Sequence, residues 1–372
     1  MENFELYAYN AKTIDSIPQA RRGKTISLRK LYGAQMAHNF VGDSRVHDAN
    51  FAFLTTTLSK LDPTLHKPLY WTTYQNDVPV EVGSGFVDYV EYYTIDWAGI
   101  TSEYRNFLGN STNYIPRVNA GMNQERMPVF TYGVAYDLRF VDLEKMKKLK
   151  LQESIQKIYA DVIMAGWDMF CQHVAYLGTG NASGESIYGL FNSPKVHTTT
   201  IDNAGATAGK GFAGLTDAVV VAFFNGIFEY YLNNSHMNLK VLPDTILVPT
   251  FVSQDLSGRF STLYTETLRG FIKSHNMAID ESDGAIKTIN IQGRPELNTL
   301  GTAGKGRIVA YRKDANFVKL HIPYPVQMYI TLPNIERMAY TTAFVGQVSG
   351  VEMPYDLDSS TLGIVSYWDF TI

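Results

Sequence analysis

Residues 142–178 read DLEKMKKLKLQESIQKIYADVIMAGWDMFCQHVAYLG, and how this stretch is read decides the fold. Leu151, Ile155, Ile158, Val162, Ala165 and Met169 recur at three- and four-residue spacing, which puts them on one helical face. A second stripe, Tyr159, Ile163, Trp167, Phe170, Val174 and Leu177, runs beside the first, so the C-terminal half is expected to be buried over a wide arc. Glu144, Lys145, Lys147, Lys148, Lys150, Glu153 and Lys157 leave the N-terminal half solvated. Asp142 is the expected N-cap, no proline interrupts, and Gly178 with Gly180 ends the helix; Gly166 is the one candidate kink. One continuous helix of this span measures roughly 50 Å at 1.5 Å per residue, against a mean of about 11–12 residues in globular proteins. Such a spine suits an assembly; the plainer alternative is a long helix in any α+β protein.

Composition narrows the class. The 372 residues can bury a substantial core and divide into two or three units. With 45% hydrophobic residues, 24 Tyr and 20 Phe, the chain is globular and has much aromatic surface to bury in a core or against partners. A net charge of −4 argues against a generally basic, nucleic-acid-coating protein. The single Cys171 excludes an intrachain disulfide and suits buried packing in a reducing compartment. No secretory h-region and no window of 18 uninterrupted apolar residues occurs, so neither export nor membrane spanning is expected.

Outward from the spine, residues 1–67 read as an arm with local helical pieces. Lys12, Arg21, Arg22, Lys24, Arg29 and Lys30 face only Asp15, so the arm is locally basic; it is either a solvated lead-in or lies on an acidic neighbour or nucleic acid. From Pro68 to Pro116 the texture becomes alternating strand-formers, VPVEVGSGFVDYVEYYTIDWAGI. Gly83-Ser84-Gly85 is expected to join two runs into a long β-hairpin. Asp77, Glu81, Asp88, Glu91, Asp96 and Glu103 meet no Lys or Arg before Arg105, and an acidic hairpin exposed on both faces needs a surface to lie on. The run Met127 to Phe140 should be a strand leading into the spine.

Beyond the spine, the Thr/Gly/Ala-rich segment Thr198 to Gly214 is the clearest internal boundary. A second module follows: a helix over Leu215–Leu232 after Thr216, a buried strand TILVP at 245–249, and an amphipathic helix within Val252–Lys273. Short strands and glycine-rich turns occupy Asp280 to Leu320, and Met338 to Tyr367 returns to strand texture.

Catalytic and cofactor motifs do not emerge. The Gly-Lys sites at Lys210 and Lys305 lack both the spacing and the following Ser or Thr of a phosphate loop. The eight His residues never pair at metal-ligand spacing, and HExxH, paired Cys and the GxSxG elbow are all missing. No catalytic, cofactor-binding or metal residue is nominated, and no cofactor is expected.

In combination, several segments resemble the major capsid proteins of tailed phages, the Hong Kong 97-type fold shared with encapsulins and linocin-type proteins. They are Ile115-Pro116-Arg117-Val118 followed by Gly133-Val134-Ala135-Tyr136, the spine with Ala160 to Trp167, the turn Tyr188-Gly189-Leu190-Phe191-Asn192, and Leu242 to Pro249. The resemblance covers nearly the whole chain. It implies an α+β fold with an N-terminal arm (1–67), an extended loop (68–117), a peripheral domain (118–199, spine helix 142–178), an axial domain (200–325) and return strands to the peripheral domain (326–372). It also implies a structural, non-enzymatic protein that assembles in the bacterial cytoplasm, as pentamers and hexamers, into the icosahedral capsid of a virion around double-stranded DNA. Portal, scaffolding and decoration proteins would be its partners, with no membrane. Some relatives carry a long N-terminal scaffolding domain that this sequence does not show, so scaffolding is expected to be separate or removed. The alternatives are an encapsulin-like compartment and a soluble α+β enzyme.

Three expectations about particular residues follow. Arg21, Arg22 and Lys24 of the arm are expected to meet Asp77, Glu81, Asp88 and Glu91 of a neighbouring subunit. Lys147, Lys148 and Lys150 are expected to face packaged DNA, the alternative being a solvated face with no partner. Finally, the lysine–asparagine cross-links that some relatives form from the extended loop are not expected, because no Lys occurs between Pro68 and Glu144 and Arg105 and Arg117 stay protonated.

Overall fold

The computed structural model describes residues 70–98, 119–148, 155–180, 184–201, 212, 214–234, 239–261, 265–282, 284, 286–354 and 364–370. All lie in one compact unit, His66–Ile372. The basic arm falls outside the described residues, and so do Glu103, Arg105, Arg117 and Lys150.

The spine is seen as a helix Phe140–Lys148 and a helix Ile155–Leu177; 149–154 lie outside the described residues. The first helix begins two residues before the expected cap, so Asp142 sits in its first turn, where a carboxylate favours the helix dipole. The end of the second helix is fully accounted for. Its last four carbonyls accept from Gly178 N (on Val174), Leu190 N (on Ala175, 2.8 Å), Phe191 N (on Tyr176, 3.0 Å) and the Asn192 side-chain amide (on Leu177). The turn Tyr188–Asn192 is therefore the C-cap of the spine, closing the carbonyls that a helix end leaves open. Gly178 takes φ +72°, and a Cβ on Gly189 would lie 2.4 Å from the Tyr176 backbone, so both positions need glycine.

Two hydrophobic cores share one sheet. Five strands lie in the order Asn290–Arg294, Thr245–Pro249, Arg307–Tyr311, Val365–Phe370, His197–Ile201. Because successive side chains point to opposite faces, Leu247, Val309, Tyr311 and Tyr367 join the core around Trp167 and Tyr176, while Ile246, Val248, Ile308 and Phe370 join the core under helix Asp217–Asn234. The last strand thus completes this sheet, between Arg307–Tyr311 and His197–Ile201, rather than the peripheral sheet expected for 326–372. The amphipathic run 252–273 divides into helices Thr250–Gly258 and Leu268–Ser274, with the short pair Phe260–Ser261 and Glu266–Thr267 between them.

A separate sheet, labelled peripheral after the expectation above, has three antiparallel strands, Tyr324–Asn334, Ala339–Val348 and Phe130–Arg139. One face packs on the spine: Tyr132 meets Trp167 edge-on at 5.3 Å and stacks on Phe170 at 5.1 Å, and Tyr136 stacks on Tyr159 at 5.0 Å. Trp167 and Ile163 are core, as the second stripe implies. In the first stripe Val162 and Met169 are more than half exposed. A 3.6-residue period identifies both stripes as helix faces but does not reveal which of them the chain itself covers.

The extended loop differs from the expected hairpin. Val80–Val82 pairs in parallel with Lys319–Ile322, and Gly83, Ser84 and Gly85, all at positive φ, lead the chain away from that sheet. The long antiparallel ladder is instead Tyr89–Ala98 with Asn119–Pro128, ten residues on each side. No described helix is long and apolar enough to cross a membrane.

Candidate inter-subunit surfaces and their anchorage

The loop is anchored where Tyr74–Asp77 meets the spine and the five-stranded sheet. Asp77 is fully buried and takes a bidentate pair from Arg294, Nε to Oδ2 at 2.5 Å and Nη2 to Oδ1 at 2.6 Å. Tyr176 of the spine donates to the same carboxylate, Tyr311 donates to the Asp77 carbonyl at 2.7 Å, and Thr73 shares a hydrogen bond with Tyr176. Burial works against the Arg294 charge, but the Asp77 carboxylate more than restores it and raises the guanidinium pKa. Burial, reinforced by Asp77, likewise lifts the Tyr176 phenol well above its ordinary value, so it stays a neutral donor. Asp77 is therefore spent inside its own subunit and is not a surface acid for the N-terminal arm. Its partners come from residues far along the chain, which no local run of acids could indicate.

Glu81 pairs with Lys319 at 2.9 Å, and Lys319 and His321 both reach Glu352, at 3.4 and 2.5 Å. Glu91 pairs with Arg126 at 2.6 Å across the ladder. Three of the six acids read from the sequence, Asp77, Glu81 and Glu91, are thus paired with bases from other strands. Asp88 is exposed and uses its backbone carbonyl to accept from Val129 at 3.0 Å.

Among the described residues, two sets of uncovered apolar side chains lie on strands, besides Val162, Met164 and Met169 on the spine. On the ladder, Ile95 and Met122 are directly opposite one another and 63% and 70% exposed, next to the pair Tyr93 and Gln124. The opposite face is partly covered, with Glu125 held by Lys195 at 2.6 Å and by Tyr92. Burial raises the Glu125 pKa, but those two donors outweigh it and the carboxyl stays low. On the peripheral sheet, edge strand Tyr324–Asn334 exposes Met328, Tyr329 and Leu332, and its turn exposes Ile335 (87%) and Met338. Sequence reading passed over this second set, although PVQMYITLPNIERM already shows apolar residues without a core-facing alternation. Lys147 and Lys148 lie on helix Phe140–Lys148, with side chains outside what is described. Among the described residues no cluster of His, Cys, Asp and Glu could hold a metal.

A family model for major capsid proteins matches residues 105–357. No curated protein matches the chain. Among solved structures, the capsid of Myoviridae phage XM1 is similar with TM-score 0.60 at 14% identity, over 84% of this chain and 97% of that one. The capsid of a native GTA particle is similar with TM-score 0.54 at 9% identity, over 84% and 95%. Mycobacterium phage Adephagia gives TM-score 0.54 at 9% identity, over 86% and 97%. The chain therefore belongs to the major capsid protein family and has the Hong Kong 97-like fold of tailed-phage capsids.

Proposed function

We propose that this capsid protein closes, as pentamers and hexamers, into an icosahedral shell around double-stranded DNA, assembling in the cytoplasm of a bacterial host with portal, scaffolding and decoration proteins. The observation that carries the reading is the two-stranded ladder with Ile95 and Met122 uncovered at its far end. Isolated two-stranded ribbons are marginal in water, and apolar surface held out on one is stabilised when a neighbouring copy covers it. Electron microscopy of the purified chain should show shells or capsomers, and shells from infected cells should contain DNA. A small discrete oligomer at all concentrations would reject the reading, and shells filled with protein but no nucleic acid would replace it with a cargo compartment.

Charge sets a weaker contact. Arg21, Arg22 and Lys24 meet Asp88, with Glu81 and Glu91 as partly neutralised neighbours, on an adjoining subunit. Lys147, Lys148 and Lys150 face the packaged phosphate. Exposed pairs contribute below about 1 kcal/mol each and are screened by salt, so their effect comes from repetition over many copies. Reversing Arg21 and Arg22 to Glu should lower assembly yield at low salt with the subunit still folded; equal yield at low and high salt would remove the contact.

A further inference from the structure

Helix Thr250–Gly258, helix Leu268–Ser274 and strand Asn290–Arg294 flank an open, solvent-facing depression of about 550 Å³, within the volume range of small-ligand sites. Apart from Gly293, every lining residue carries a polar or charged side chain. Thr250, Ser253, Gln254 and Ser257 recur at helical spacing and line one side, and Arg269 and Lys273, four residues apart, line another. Gly293 forms part of the floor, where a Cβ would come within 2.8 Å of Ser253, so helix and strand approach closely there.

The charges in this depression do not balance. Arg294 is consumed by Asp77, which leaves Arg269 and Lys273. Arg269 spends its two terminal nitrogens on Ser257 Oγ (3.2 Å) and the Ile291 carbonyl (2.5 Å), and its buried Nε has no acceptor among the described residues. The Lys273 ammonium makes no hydrogen bond or ion pair among the described residues, and no carboxylate lines the depression. Burial, and then Arg269, pull the Lys273 pKa down. Two like charges at i and i+4 destabilise a helix, and a buried guanidinium donor without an acceptor adds to that cost. The buried Nε is out of an anion's reach, but each terminal nitrogen carries a second N–H, and an oxyanion taking one of these together with the Lys273 ammonium would relieve the repulsion between the two cations. The remaining lining, hydroxyls and carboxamides, supplies neutral donors to further anion oxygens, and the lining holds no aromatic ring on which a base could stack.

We propose that this depression is a binding site for a phosphate group, supplied either by a small phosphate or by the backbone of a nucleic acid. All of its lining residues belong to one chain, so binding is read on unassembled subunits. The test is thermal or calorimetric titration of the full-length chain with inorganic phosphate at constant ionic strength, with chloride as the control. Phosphate should bind saturably. Lys273→Gln, which keeps a polar side chain of similar reach, should weaken binding roughly tenfold or more, as expected for loss of one charge-assisted hydrogen bond. Arg269→Gln is the less clean variant, because it also releases the Ile291 carbonyl. Competition by a short oligothymidylate would assign the site to backbone phosphate, and its failure to compete would assign it to small phosphates. Absence of saturable binding by either probe, equal binding by wild type and Lys273→Gln, or binding of an acidic peptide in place of phosphate would overturn the proposal.

Discussion

The five-stranded sheet and the peripheral sheet use the same strand chemistry in opposite ways. Thr245–Pro249 and Val365–Phe370 are buried at every residue, because each face of that sheet has its own core. Phe130–Arg139 alternates half-buried and exposed residues apart from the buried Leu138, and Tyr324–Asn334 is exposed from Gln327 to Pro333 on both faces, with an outer edge that no described strand pairs. A sheet covered on both sides needs no neighbour. A sheet covered on one side, with an apolar edge strand, is a liability in a free monomer and an asset in a shell. Subunit stability therefore resides in the shared sheet and the groups tied to it, whereas the peripheral sheet and the ladder are the surfaces left for the assembly proposed above.

Breaking the anchorage should give the largest loss of subunit stability. Arg294→Ala leaves the Asp77 carboxylate buried with Tyr176 as its remaining side-chain donor, which should cost about 3–5 kcal/mol in chemical denaturation of the full-length chain. Replacing both partners with apolar residues of similar volume, Asp77→Leu with Arg294→Met, should recover most of that loss, because no uncompensated charge remains. A single-variant cost below about 1 kcal/mol would mean that the junction is not where the subunit holds itself together.

A smaller effect is expected where Val80–Val82 joins Lys319–Ile322. The hydrogen bond from Lys319 holds the Glu81 carboxyl below its ordinary 4.5, so its contribution is present above that value and is lost as pH falls through the depressed pKa. Burial lowers the Lys319 pKa, but Glu81 and Glu352 overcome this and raise it above 10.5; that contribution is present below 10.5 and lost as pH rises through the raised value. The pair is therefore intact at neutral pH. Since Glu81 is half exposed, Lys319→Gln should cost less than about 1 kcal/mol at pH 7, and the gap from wild type should close in acid. A gap that is unchanged at acid pH would show that Lys319 acts through packing.

Local signals in the sequence were enough to place some of these elements. The Trp167 stripe, the strand at 245–249 and the turn after Gly178 all follow from spacing and backbone chemistry confined to a few residues. Partners across the chain could not be read in this way. Val80–Val82 looks like half of a hairpin because a Gly-Ser-Gly turn follows it, and only the distant strand Lys319–Ile322 shows that it pairs in parallel elsewhere. The acids Asp77, Glu81 and Glu91 form a one-sided run locally, whereas their bases sit at Arg294, Lys319 and Arg126. The exposed Val162 and Met169 have the same periodicity as buried residues, since hydrophobic spacing is identical for a core and for an interface. The anion site gave no motif because its cations and hydroxyls come from two helices and an edge strand.

The smallest stability effect, and the sharpest separation of the two regions, should come from the far end of the ladder. Ile95 and Met122 touch no core, so Ile95→Ser with Met122→Ser should change subunit stability by no more than about 0.5 kcal/mol, the usual range for surface positions. Cross-strand contact between the two side chains contributes a few tenths of a kcal/mol to the ribbon itself, and that is the only intrasubunit loss expected. If a neighbouring copy covers this face, the same double variant removes apolar area from an interface repeated throughout the shell. Sedimentation should then show folded subunits that fail to form large particles at concentrations where wild type assembles. Unchanged assembly would place the cover of this face elsewhere, on a second protein or on another part of the same chain. Loss of stability as large as that of Arg294→Ala would abolish the distinction between a self-sufficient sheet and a ladder completed by its neighbours.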